Sequence, residues 1–210
     1  MTEFEDDDKM MIGISEANKD YLYGDIIISM IYVPVYFFKK SGFGIKDFKL
    51  LTKIQRNNIY KNLSSKVRWQ LRRIKPYEME NKNLEDIEMK CVIDMLNTVP
   101  IFWEKEVYIN NLDKESFSER FNKFTTENLR KLNIDFNKEN WHISNGNCKN
   151  KASQLAGIFA KSYCDNDSKI LHEIYGDIIG SGLPTDKKTI KFIKNHADDY
   201  PSFVRKEILK

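Results

Sequence analysis

The chain has 210 residues, a formal charge of +3 and 41% apolar residues, which suits one domain with a substantial core and argues against disorder. Its three cysteines, Cys91, Cys148 and Cys164, are odd in number and lack metal-ligand spacing, which argues against a disulfide framework or a zinc site and for a reducing compartment. The longest apolar stretch, residues 26–38, is broken by Ser29 and Pro34 and falls short of a bilayer span, so a soluble, intracellular protein is expected.

Residues 1–10 set Glu3, Glu5, Asp6, Asp7 and Asp8 against Lys9. This acidic leader resembles a protease-site remnant of recombinant expression and is kept out of the fold reading, leaving residues 11–210 as a single domain. The body is basic. That fits a polyanionic partner, and it equally follows from a composition rich in lysine and asparagine.

Met11, Ile12 and Ile14 form a short apolar run around Gly13, and residues 25–33 are rich in Ile and Val without a helical period, so both read as buried strands. Between them Asn18, Lys19, Asp20 and Gly24 supply turn chemistry. Ser15, Glu16 and Lys19 are therefore expected at a strand edge, where side chains can meet a ligand, although a polar hairpin tip with no role has the same spacing.

Residues 39–44 read as a surface loop. Thr52 can cap a helix to about Leu63, with Ile54, Ile59 and Leu63 on its apolar side. Residues 66–73 alternate, placing Val67, Trp69 and Leu71 on one face of a strand and Arg68, Gln70 and Arg72 on the other. The cationic face is either a phosphate track or a solvated strand surface. Residues 76–82 read as polar loop, and Asn83 caps a helix to about Asn97 with Ile87, Cys91, Val92, Met95 and Leu96 toward the core.

A short strand follows over residues 105–109, ending at Asn110 and Asn111. Asp113 can cap the next helix, whose Phe117, Phe121 and Phe124 read as core residues. Residues 138–144 form a strand with Trp141 and Ile143 on one side, and residues 145–147 a turn. Ala152, Leu155, Ala156, Phe159, Ala160 and Tyr163 repeat at helical spacing, and the small members imply close packing on the sheet. Residues 165–167 interrupt that helix, and Ile170, Leu171 and Ile174 resume an apolar face. Residues 180–184 form a turn, Thr185 caps a last helix through Ile190 and Ile193, and an extended tail starts at Tyr200. The order is that of an α/β protein with a mixed sheet covered by helices.

Five segments resemble, in order, the motifs of the type 2 ribonucleases H (ribonuclease HII). Gly13, Ile14, Ser15, Glu16, Ala17, Asn18, Lys19 and Asp20 stand where the family has Gly-Ile-Asp-Glu-Ala-Gly-Arg-Gly. Asp47, Lys49, Leu51 and Thr52 match its Asp-Ser-Lys-Lys-Leu-Ser/Thr segment, and residues 155–161 its Ala-Ala-Ser-Ile-x-Ala-Lys segment. Residues 180–186 match Gly-Ser-Gly-Tyr-Pro-Ser-Asp, with Leu183 for the tyrosine, and residues 201–206 the closing Pro-x-Ile/Val-Val-Arg-Lys.

The resemblance implies a ribonuclease H-like fold, a mixed five-stranded sheet flanked by helices with a short C-terminal helical extension. It also implies two-metal hydrolysis, in which four acids hold paired divalent cations against water. Those acids fall on Ser15, Glu16, Asn110 and Asn147, so Glu16 alone keeps the charge. The expectation is a chain with no bound metal and no cofactor that has lost hydrolysis and serves as a binding or structural module. The alternative is a divergent endoribonuclease that cleaves the RNA strand of RNA/DNA hybrids with Mg²⁺ or Mn²⁺ through Glu16 and a replacement acid.

Asn18, Lys19 and Asp20 replace the glycines that let backbone approach a ribose 2′-hydroxyl, and Leu183 replaces an aromatic that stacks on a nucleotide, worth on the order of 1–3 kcal/mol. Lys19, Lys49, Arg68, Arg72 and Lys161 are the candidate contacts to nucleic acid. The partners expected are nucleic acid through the basic surface or a protein in a larger complex, with no membrane, and residues 201–210 hold no sliding-clamp peptide of the kind some family members carry. His142, His172 and His196 have no partners at metal or triad spacing, and Cys148 and Ser153 lack a recognisable base.

Overall fold

In the computed structural model, residues 9–40, 45, 47–99, 104–110, 119–121, 123, 141–144, 149–196 and 202–205 are described. The strands are β1 (Lys9–Ala17), β2 (Ile26–Pro34), β3 (Arg68–Ile74), β4 (Glu104–Asn110) and β5 (Trp141–Ser144), in the sheet order β3-β2-β1-β4-β5. β2 runs antiparallel to β1 and β3, whereas β4 runs parallel to β1 and β5 parallel to β4. The mixed five-stranded sheet flanked by helices is thus the observed fold, with β1 as its central strand.

The helices are α1 (Phe37–Lys40), α2 (Lys53–Leu63), α3 (Pro76–Met79), α4 (Leu84–Leu96), α5 (Lys151–Tyr175) and α6 (Lys187–His196). α4 covers one face: Met89, Val92, Ile93 and Leu96 pack on Ile12, Ile14, Ile28 and Met30. α5 covers the other, with Ala152, Leu155, Ala156 and Phe159 against Ile31 and Val33. β1 is buried on both sides, which is why its apolar run does not alternate with polar residues.

Capping chemistry marks the helix starts. Thr52 and Gln55 form a reciprocal capping box on α2, Asn83 accepts from the Glu85 and Asp86 amides, and Asn150 accepts from those of Ala152 and Ser153. At α6, Asp186 rather than Thr185 accepts the backbone bond, 2.9 Å from Lys188 N.

Several expectations change. Residues 165–167 do not interrupt α5, because Asp165 and Asp167 turn outward to Arg56 and Arg73 while the backbone stays helical. Continuing the helix leaves Ile170 and Ile174 exposed, and Ile54 of α2 is exposed too. Pro76 starts a helical turn rather than a loop, since its fixed φ suits a first helical position. β5 is described only from Trp141, and Asp113, Phe117, Phe124, Asn147 and Cys148 lie outside the described residues. Among the described residues no helix is long and apolar enough to cross a membrane.

A small third cluster, Leu22, Tyr23, Ile179, Phe192, Ile193 and Val204, joins the β1–β2 connection to the C-terminal helix and tail. Tyr23 pairs with Val204 as an isolated bridge, and the Gly24 amide donates to Phe203 O at 2.7 Å.

Gly13 permits the closest approach in the molecule's centre. A Cβ there would lie 2.0 Å from the Ala152 carbonyl carbon and 2.3 Å from Ser153 N, both backbone atoms that cannot rotate aside. Gly13→Ala is therefore expected to cost about 3 kcal/mol or more by pushing α5 off the sheet, read as a lower denaturation midpoint at unchanged m-value.

Candidate functional site

The site is the C-terminal end of β1. Ser15 is the register partner of Ser29 on β2 and of Asn110 on β4, so the expected strand edge is instead the middle of the sheet. Alternation along β1 puts Ser15 on the α5 face with Gly13, and Glu16 on the α4 face with Ile12 and Ile14. Adjacent in sequence, the two side chains serve different layers.

At the strand end on the α5 face the described polar side chains, Ser15, Ser29, Asn110 and Ser144, are uncharged. Ser15 is 0% and Asn110 1% exposed, and Ser144 Oγ donates to Asn110 Oδ1 at 3.1 Å. Ser15 Oγ and Ser29 Oγ have no hydrogen-bond partner. Paired divalent cations, which the resemblance implies, need anionic oxygens that repay their dehydration. Buried hydroxyls and an amide do not provide them, and among the described residues no three His, Cys, Asp or Glu side chains converge as ligands. The residues present here do not fit the metal pair. Asn147, the fourth position, lies outside the described residues.

On the α4 face Glu16, 5% exposed, meets Glu88 of α4, 2% exposed. Glu88 Oε2 accepts from Lys19 Nζ at 2.9 Å. Burial, then repulsion from Glu88 and the hydrogen bond the two carboxyls share, hold the Glu16 carboxyl well above its ordinary range, with Lys19 opposing. For Lys19 burial pulls the ammonium down, but Glu16 and Glu88 outweigh it and keep the group above the usual lysine value.

Of the candidate contacts to nucleic acid, Lys19 is therefore consumed by Glu88. Lys161 donates to Tyr21 Oη at 3.1 Å and lies 4.3 Å from that ring's centroid. Lys49 is exposed beside the Phe48 ring. Arg68 and Arg72 are exposed on the α4 side of edge strand β3, Arg68 over Tyr32. Lys161 projects from α5 on the other side, so the five cations do not form one track. A cleft of about 1240 Å³ beside α4 is lined by Arg72, Lys82 and Lys90 together with Asp86 and Asp94, and neither Ser15 nor Asn110 lines it.

Glu88 is absent from the sequence reading, and Arg205 stands there only as part of the closing motif with no role given to it. Glu88 interrupts the apolar stripe Leu84, Val92, Met95 of α4, and that break is the sequence signal that could have exposed it. Arg205, 1% exposed, donates through Nε to Gly24 O at 2.9 Å and through Nη1 to Lys19 O at 2.8 Å, pinning the connection that carries Lys19. Burial lowers its pKa to about 10. The late glycine motif supports the same connection: Leu22 N donates to Gly182 O at 2.7 Å and Tyr23 Oη to Gly180 O at 2.9 Å.

The raised Glu16 pKa means that the folded protein keeps a proton the unfolded chain releases above about 4.5, so this group's cost grows as pH rises. Glu16→Gln is expected to raise Tm at neutral pH, the gain shrinking as pH falls toward about 4.5; melting curves across that range check it. Arg205→Met should cost on the order of 3 kcal/mol through two lost charge-assisted bonds and hasten proteolytic cleavage within residues 18–24.

A profile described as Ribonuclease HII matches residues 12–208. Ribonuclease HII of Saccharolobus solfataricus is 28% identical over 198 residues, covering 92% of this chain and 86% of its own. That of Methanococcus maripaludis is 30% identical over 212 residues, covering 94% and 84%. The fold matches the crystal structure of ribonuclease H2 from Pyrococcus horikoshii with a TM-score of 0.74 at 20% identity, covering 94% of this chain and 93% of that one. It also matches ribonuclease HII in its complex with PCNA from Archaeoglobus fulgidus, with a TM-score of 0.69 at 21% identity and coverages of 90% and 89%. Sequence, motif order and sheet topology agree: the chain belongs to the ribonuclease HII family.

Proposed function

We propose that this chain is a non-hydrolytic member of the family that binds duplex nucleic acid through phosphate contacts. One observation carries the reading: the register partners Ser15 and Asn110 present buried, uncharged groups where the family pattern has acids, while Glu16 is turned to the opposite layer against Glu88. A site of this kind does not offset the dehydration of two divalent ions.

Binding is supported by the basic body and by Lys49, Arg68 and Arg72, which stay exposed. Contacts of this type position a duplex without reading its bases.

A cleavage assay on a duplex with one embedded ribonucleotide, in Mg²⁺ and in Mn²⁺, is expected to show no turnover. Robust turnover abolished by Glu16→Gln would end the proposal in favour of a metal-dependent endoribonuclease. Restoring Asp at positions 15, 110 and 147 together should bring cleavage back if the scaffold remains competent. Binding should weaken steeply with salt, and Arg72→Ala should lower the log–log slope by about 0.9, one phosphate contact. Salt-insensitive binding, with a protein partner recovered instead, would refute the nucleic-acid assignment.

A further inference from the structure

We propose that Arg56 is the positioning residue for a phosphate contact made by Lys49: clamped between Asp165 and two backbone carbonyls, its guanidinium fixes the turn that carries that lysine. The inference rests on the nucleic-acid reading above and deepens it, giving a role to two residues that do not themselves meet the duplex.

Lys49 sits on the single 3₁₀ turn Phe48–Leu50, with its side chain exposed. The turn's own bonds are few: Leu50 N donates to Asp47 O at 3.0 Å, Leu51 N to Phe48 O at 3.3 Å, and Lys49 N to Asp47 Oδ1 at 2.9 Å. So short a segment has poor hydrogen-bond geometry and depends on its surroundings for a fixed shape. Arg56 of α2 supplies that support from beneath. Its Nη1 donates to Leu51 O at 2.5 Å and to Phe48 O at 3.4 Å, while Nε and Nη2 donate to Asp165 Oδ2 of α5 at 3.0 and 2.5 Å. One planar group thus spans the turn and the long helix.

The Arg56 and Asp165 side chains are only 11% and 13% exposed, so the pair is held away from water, where a guanidinium is costly unless its donors are met. Bridging α2 to α5 needs only the bonds to Asp165; those to Phe48 O and Leu51 O fix the turn. Two further contacts seat the same turn on α5. The Phe48 amide donates to Gln154 Oε1 at 3.3 Å, and the Phe48 ring lies so close over Gly157 that a Cβ there would come 2.4 Å from it. Against this anchored inner side, Lys49 and Leu50 point outward, Leu50 being 79% exposed. The arrangement presents a cation on backbone already held in one conformation, which reduces the ordering cost when a phosphate is bound.

The test uses the full chain and a mixed-sequence DNA duplex, with affinity followed by fluorescence anisotropy across salt concentrations. Lys49→Ala should lower the log–log salt slope by about 0.9, one phosphate contact. Arg56→Lys keeps the charge but not the fork; it should lower the slope by the same amount, and Lys49→Ala/Arg56→Lys should show no further fall. Asp165→Asn removes a negative charge, which by field alone would strengthen binding to a polyanion, yet it should weaken binding. A role confined to folding would lower Tm in Arg56→Lys and leave the slope alone. An unchanged slope in Arg56→Lys or in Lys49→Ala, losses that add in the double variant, or tighter binding by Asp165→Asn would each overturn the assignment. Should Arg56→Lys not fold, Asp165→Asn carries the test, with faster hydrogen exchange expected at the Leu50 and Leu51 amides; unchanged exchange there overturns the clamp. A wild type without salt-dependent binding ends the nucleic-acid reading and this assignment with it, whereas salt-dependent binding untouched by either clamp variant ends the assignment alone.

Discussion

The contact of α5 with β1 at Gly13 sets the rest of the structure. Because Gly13 has no side chain, the Ala152 and Ser153 backbone comes down onto the central strand, and Asn150 caps the helix at that point. Ser15, two residues along the same face, is thereby sealed from solvent. A position sealed in this way tolerates the hydroxyl of Ser15 and the amide of Asn110 far better than it would tolerate unpaired carboxylates.

The sheet divides the site's electrostatics into two layers. Under α5 lie Ser15, Ser29, Asn110 and Ser144, all neutral. Under α4 lie Glu16 and Glu88 with the Lys19 ammonium. Period-two alternation makes this separation unavoidable for neighbours such as Ser15 and Glu16, and the charge that remains at the strand end is balanced by the chain's own lysine.

The strands, the caps at Thr52 and Asn83 and the packing of α5 were legible in the sequence, because apolar period and capping residues are local signals. The interruption read at residues 165–167 was wrong because tertiary ion pairs with Arg56 and Arg73 absorb the charges that looked like a break. Ser15, Glu16 and Asn110 were found by motif, but their separation onto two faces was not, since register and layer are settled by long-range pairing. Glu88 and Arg205 act through partners 69 and 186 residues away, and no window of sequence brings such pairs together.

The clasp made by Arg205 has a consequence for how the protein comes into being. Its acceptors, Lys19 O and Gly24 O, precede the guanidinium by 186 and 181 residues, so they are synthesised well before it. A nascent chain on the ribosome can assemble the β1–β2 hairpin early, but its connection stays unclasped until residue 205 has been made. Maturation of the strand end is thus coupled to synthesis of the segment that carries Arg205.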